Sequence, residues 1–163
     1  DQDRLDLGIL LEPVESAKYE SVELPFTDRW GLIVAKDAPE AKLEGISTLG
    51  LANRPLILPR RGIVLDEIAS WVGTEREKLP VFLTQNLLTN GLLFVRRGLA
   101  AMVCVEGAFR LRPSEDVVFV PFMPERRIAH KLVRRRNRRL PEAAEMFWMR
   151  AKEMLQNGSD DPV

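Results

Sequence analysis

The sequence predicts an α/β fold with a mainly parallel sheet, and three observations carry that reading. Short apolar runs of strand length alternate along the chain with segments whose apolar residues recur at helical spacing. Glycine, proline and helix-capping residues stand at the junctions between them. The chain has 163 residues, 45% of them apolar, enough to bury one sizeable core or two small ones. No internal repeat or low-complexity segment interrupts the pattern.

The first strand is residues 5–11, where Leu5, Leu7, Ile9 and Leu11 alternate with Asp6 and Gly8. Glu12-Pro13 cannot continue it, and a polar segment follows. Residues 30–35 form the second strand, apolar almost throughout and so expected to be buried on both faces. It ends at Asp37-Ala38-Pro39, where the proline keeps Ala38 out of helix. Next come a loop and a short helix, with Ser47 or Thr48 as its cap, and then the brief strand 55–59 between two prolines. The basic turn Arg60-Arg61-Gly62 leads into a helix over 64–72 that Gly73 terminates.

Residues 79–84 make another strand, and Asn86 is placed to cap a helix over 87–97 with the stripe Leu88, Leu92 and Val95. Gly98 ends that helix, and residues 99–104 are the next buried strand. Two more strands fall at 117–122 and 128–134, the latter with Ala129, Lys131 and Val133 on one face. Pro141 opens the last helix from its first turn, with an inward stripe of Ala144, Phe147, Ala151, Met154 and Leu155. The tail, residues 157–163, is polar and expected to fray.

Composition excludes several functions. Lys plus Arg and Asp plus Glu number 24 each, so no net field steers the chain toward nucleic acid or acidic substrates. The single cysteine, Cys104, rules out an intrachain disulfide and a cysteine-rich zinc site, and its apolar run makes it a small buried hydrophobe. No apolar stretch reaches transmembrane length and the first residues do not read as a signal peptide, so the expected location is cytoplasmic. The abrupt entry into a strand suggests a fragment of a longer protein.

Read in order, the motifs LDLGI, DRWGLIVAKDAP, PLILP with its polar turn, LDEIASWVG, FLTQN and VRRGLAAMV resemble the effector-binding domain of LysR-type transcriptional regulators over nearly the whole chain. That resemblance implies a type II periplasmic-binding-protein-like fold, two α/β subdomains with a ligand cleft and two crossover segments. It places residues 1–37 and 128–163 in subdomain one and 38–127 in subdomain two. The first part of subdomain one and the winged helix-turn-helix are expected to be absent from this chain. The first strand would then lack its neighbour and expose an open edge, so residues 5–10 are expected either to pair with another copy or to have lost a neighbour that a longer intact protein supplies.

Ligands of α/β sheets gather beyond the carboxyl ends of strands, where helix N-termini and free backbone groups converge. Three such ends are legible: Leu11, Glu12 and Pro13; Pro59, Arg60 and Arg61; and Thr84, Gln85 and Asn86. Arg60 or Arg61 suits a carboxylate in a bidentate pair, with Gln85 and Asn86 to orient it. The competing readings are solvated arginines, an asparagine that only caps, and Glu12 as a loop acid. His130 has no nucleophile or acid pair around it and reads as structural. The run Arg134, Arg135, Arg136, Arg138, Arg139 reads as a solvated strand end, pairing with the acidic 112–116 region or Glu142, in preference to a DNA contact. Trp30 and Trp71 are expected in packing, and Trp148 half exposed.

The expected function is therefore effector sensing without catalysis, metal or cofactor. Partners would be a small-molecule effector, with anions among the candidates, and further copies in a dimer or tetramer. DNA would be reached only through the absent N-terminal domain, and no membrane is involved. A free solute-binding protein of the same fold is the first rival. An enzyme on a related scaffold lacks its nucleophile-base pair, metal spacing or phosphate loop here, and an interaction module with a vestigial cleft is the third rival.

Overall fold

The computed structural model describes residues 5–111 and 113–157, and the expected frayed tail beyond Asn157 lies outside them. The elements are β1 (Leu7–Leu11), β2 (Tyr19–Ala35), β3 (Leu56–Pro59), α1 (Gly62–Val72), β4 (Val81–Gln85), α2 (Leu88–Arg96), β5 (Ala101–Val105), α3 (Glu106–Arg110), β6 (Val117–Pro121), β7 (Arg127–Arg135) and α4 (Glu142–Asn157). Each strand and helix expected from pattern is present, and α3 is additional. The chain divides into two compact units, one holding residues up to Thr27 and from Ile128 onward, the other Asp28–Arg127.

In the first unit the strand order is β1-β7-β2. β1 runs antiparallel to β7, with Leu7 opposite Arg134, Ile9 opposite Leu132 and Leu11 opposite His130. The segment before residue 30, expected as a polar link, is strand from Tyr19. Half-buried Val22 and Leu24 alternate there with exposed Ser21, Glu23 and Pro25, and this two-residue period sends one side toward the core. That core is small: buried Leu132, Leu140 and Trp148, with Leu7, Val22, Leu24, Ala144 and Ala151 packed on them.

α4 is rotated from its expected phase. Trp148, expected half exposed, is fully buried at 0% exposure, whereas Phe147 and Met154, expected inward, are 58% and 61% exposed. Ala144, Trp148, Ala151 and Leu155 follow the helical repeat on one side, and Phe147 lies about 100° round from Trp148. The Arg134 guanidinium lies over the Trp148 ring, 5.0 Å from its centroid. Pro141 stands one position earlier than expected: it precedes the helix, and its carbonyl accepts the Glu145 N–H at 2.9 Å.

The second unit carries a sheet in the order β6-β2-β5-β3-β4. The expected mainly parallel sheet is in fact mixed. Only β5-β3-β4 runs parallel, and β2 is antiparallel to both β5 and β6. The parallel strands are those joined through α1 and α2, because a parallel neighbour needs a crossover and an antiparallel one does not. Trp30 through Ala35 are all buried, as their apolar run foretold. A Cβ on Gly31 would lie 2.5 Å from the Val120 carbonyl oxygen, so backbone contact demands glycine there.

Ile33, Ile57, Val95 and Met102 centre the core of this unit, and Cys104 sits among them. Both long helices end in left-handed glycines, Gly73 at φ 75° and Gly98 at φ 66°. Thr74 N–H reaches Ala69 O at 3.1 Å and Leu99 N–H reaches Phe94 O at 3.1 Å, the paired closing bonds of a Schellman turn.

Candidate functional site

Parallel pairing of β3 with β4 brings two of the three predicted strand ends together. Leu58 is opposite Thr84 and Pro59 opposite Gln85, and the Arg60 N–H donates to Gln85 O at 3.0 Å. Arg61 follows in extended backbone (φ −68°, ψ 123°), its carbonyl accepting the Val64 and Leu65 N–H groups that open α1. The Arg60 side chain is exposed, with no ion pair or hydrogen bond among the described residues, and Thr84 is exposed beside it.

Gln85 is turned inward. Its Nε2 donates to Met102 Sδ at 2.9 Å, and its Oε1 is buried without a partner. Gly91 makes room for that amide, since a Cβ there would lie 3.2 Å from Oε1 and 2.5 Å from Met102 Cε. Asn86 does not cap α2. Leu87 occupies the cap position without any side-chain bond, because the helix starts at Leu88 and leaves exposed Asn86 one residue too early. Ser47 does cap its short helix, accepting the Leu49 N–H at 3.4 Å.

The third predicted end, Leu11, Glu12 and Pro13, belongs to the other unit. Half-buried Leu11 closes β1, and the Glu12 N–H donates to Ala129 O at 3.1 Å. The Glu12 carboxylate lies 2.6 Å from Lys131 Nζ and raises the pKa of that ammonium, so Glu12 is a tethered acid and not a free loop acid. The Glu12-Pro13 peptide is cis.

The basic run is mostly fastening within its own unit. Arg134 bonds Glu20 and Glu145, each at 2.8 Å, in place of the expected 112–116 acids or Glu142. Arg136 Nε donates to Ser16 O at 2.7 Å, and Arg138 pairs with Asp6 at 3.1 Å. Lys18, Arg135, Asn137 and Arg138 line, with Ala17, a recess of about 360 Å³. His130 is half-buried with its ring 4.9 Å from Phe26, a packing role. Burial pushes the Cys104 thiol pKa up, which leaves no reactive thiolate there.

Sequence reasoning missed the cluster that positions α3. The Asp28 carboxylate accepts the Gly107 N–H at 2.9 and 3.1 Å, and Arg29 forks onto Glu106, whose pKa that hydrogen bond lowers. Asp28-Arg29 before one buried strand and Glu106-Gly107 after another was the available signal. The partners are 77 and 79 residues apart, so the pattern does not pair them.

The model of the LysR substrate binding domain matches residues 1–156. This chain belongs to that family. No curated protein sequence matches it. Among solved structures, the LysR domain is similar to the effector binding domain of QuiR in complex with shikimate, with TM-score 0.70, 16% identity, and coverage of 95% of this chain and 74% of that one. It is similar also to the CcmR regulatory domain of Synechocystis PCC6803 in complex with 2-PG (TM-score 0.65, 14% identity, 95% and 76% covered). HinK, a LysR family transcriptional regulator from Pseudomonas aeruginosa, gives TM-score 0.63 at 18% identity, with 93% of this chain and 53% of HinK covered. The LysR domain thus spans about half the length of that regulator. The fold is α/β and periplasmic-binding-protein-like. No helix of the described residues is long and apolar enough to cross a membrane.

Proposed function

We propose that this LysR domain senses a small, anionic effector and performs no catalysis. The observation that carries the reading is the convergence of Pro59, Arg60 and Thr84 at the carboxyl ends of two parallel strands, with Arg61 opening α1. Such ends concentrate backbone donors and helix N-termini, and Arg60 adds a guanidinium with no partner among the described residues. Pro59, Arg60, Arg61, Thr84, Gln85 and Asn86 are the proposed effector contacts of one unit, and Leu11, Glu12 and Pro13 are proposed, separately, as those of the other. Residues 1–37 with 128–163, and 38–127, are the proposed regulatory subdomains. An effector that binds one arrangement of a dimer or tetramer better than another shifts the assembly by that difference in affinity.

DNA, in this reading, is contacted by a winged helix-turn-helix of the longer regulator, which would act in the cytoplasm; full-length CbnR has been solved with its target DNA. A thermal-shift screen of small carboxylates and phosphates tests the effector reading. One class is expected to raise the melting temperature, and Arg60→Ala or Arg61→Ala to weaken binding by about 1.5–3 kcal/mol, the value of a charged hydrogen bond. Full affinity in both variants would reduce the arginines to surface groups.

A further inference from the structure

A guanidinium withdrawn from water normally keeps a carboxylate beside it. Arg29 has Glu106, Arg54 has Glu40 and Arg134 has Glu20. Half-buried Arg126 pairs with no carboxylate of the described residues. Its neighbour Glu125 is engaged by Arg127 at 2.7 Å and Arg29 at 3.8 Å. The Arg126 Nε is buried without an acceptor, and its Cζ stands 5.6 Å from the centroid of the half-buried Trp71 ring.

The same ring meets Trp30, with centroids 5.6 Å apart and planes at 65°. Trp30 is 1% exposed, and its indole Nε1 is likewise buried without an acceptor. Backbone bonds hold the group together: Trp30 N–H donates to Arg126 O at 2.7 Å, and Phe122 N–H to Trp30 O at 3.1 Å. All four residues belong to the unit Asp28–Arg127. Two side chains that both meet the Trp71 ring, one of them cationic, therefore each carry a buried donor without an acceptor among the described residues. What would complete them is an oxygen carrying negative charge.

We propose that Arg126 and Trp30 form an anion-recognition point that takes a carboxylate or phosphate oxygen of a small-molecule ligand, with Trp71 as the flat surface that orients the guanidinium. This site is separate from the strand ends at Arg60 and Arg61, and it rests on the reading of the domain as an effector sensor. The competing occupant is an ordered water, which satisfies donors equally well but does not discriminate anions.

The chain has three tryptophans, so its indole N–H signals in a nitrogen-correlated NMR spectrum form a complete internal set, with Trp148 in the other unit as the control. Sodium benzoate and sodium phosphate, each titrated against sodium chloride at equal ionic strength, are expected to move the Trp30 signal saturably and leave Trp148 in place. Benzoate alone, or phosphate alone, identifies which oxyanion is taken. Arg126→Gln is expected to weaken the titration about 10-fold or more, the equivalent of one charged hydrogen bond. Arg126→Lys, which keeps the charge and guards against a folding failure in the glutamine variant, is expected to weaken it less.

A Trp30 signal that neither anion moves beyond the chloride control would overturn the proposal, as would an unchanged titration in a folded Arg126→Gln. The effector reading fails separately. A screen ligand bound with full affinity by Arg126→Gln sinks only this site. A screen without ligands, beside a saturable Trp30 shift, sinks only the sensor.

Discussion

Replacing Trp148 by alanine, beside Phe147→Ala as its control, reads the phase of α4 directly. Trp148 is fully enclosed by Leu132, Leu140 and their neighbours, whereas Phe147 is 58% exposed. An indole buries roughly 200 Å² of surface, which at about 25 cal/mol per Å² is about 5 kcal/mol. Measured large-to-small changes of this kind cost about 3–5 kcal/mol. Only three side chains of the described residues are buried in that cluster, so the surrounding structure has little with which to fill the gap. Phe147→Ala, by contrast, is expected to cost less than about 1 kcal/mol, since most of the ring already meets water. Denaturant unfolding followed by far-ultraviolet circular dichroism measures both. In Trp148→Ala the remaining indoles, Trp30 and Trp71, lie in the other unit, so fluorescence follows that unit alone. Circular dichroism should then show an early loss of the first unit, and fluorescence a later transition. Equal costs for the two variants, or a larger cost at Phe147, would refute the placement of α4.

Three further outcomes follow from the same geometry. Glu20 and Glu106 have pKa values held below the ordinary carboxylate range by hydrogen bonds from Arg134 and Arg29 respectively, so their stabilisation is present above the unfolded pKa of about 4.5 and is lost as pH falls through the lower folded values; Glu106→Gln and Glu20→Gln should flatten the acid limb of stability against pH, and an unchanged limb rejects the linkage. β1 stands at one end of the strand order with Ile9 61% exposed, an open edge that favours pairing with a second copy; light scattering is expected to show assembly that Ile9→Lys weakens, and a parent chain that stays monomeric at high concentration removes the idea. DNA binding by this chain is expected to be weak, indifferent to sequence and steeply reduced by salt, because the basic run is largely committed to internal partners; sequence-specific retardation at moderate salt defeats that reading.

The fold was legible where a local rule sufficed. Gly73 and Gly98 mark helix ends because only a left-handed residue closes them, and residues 30–35 declare their burial by lacking a polar face. Legibility failed where the decision was tertiary. Phe147 and Trp148 are adjacent large aromatics on one helix, and composition cannot say which of two phases the sheet accepts. The strand over residues 19–29 was hidden by its mixture of Glu20, Glu23 and Pro25 with Val22 and Leu24, an alternation too polar to stand out from a link. The direction of strands was likewise invisible: a run of apolar residues does not record whether its neighbour arrives through a helix.

The candidate site divides along the same line. Pro59, Arg60, Thr84 and Gln85 could be named because strand-to-helix junctions are local events, and parallel pairing then sets them side by side. Gln85 turned inward because Gly91 and Met102, on elements further along the chain, leave a space that fits its amide. Arg126 could not be found at all from its surroundings in the sequence. Glu125, Arg126 and Arg127 are a short run of mixed charge, one acid beside two bases, with nothing in the sequence to say which base the acid takes. In three dimensions Glu125 goes to Arg29 and Arg127, and Arg126 lies instead over Trp71, 55 residues earlier in the chain. Charge balance in a sequence is a sum, and a folded chain distributes it pair by pair. The residue left over after that distribution, together with the indole left over beside it, is the place where a ligand's charge has something to meet.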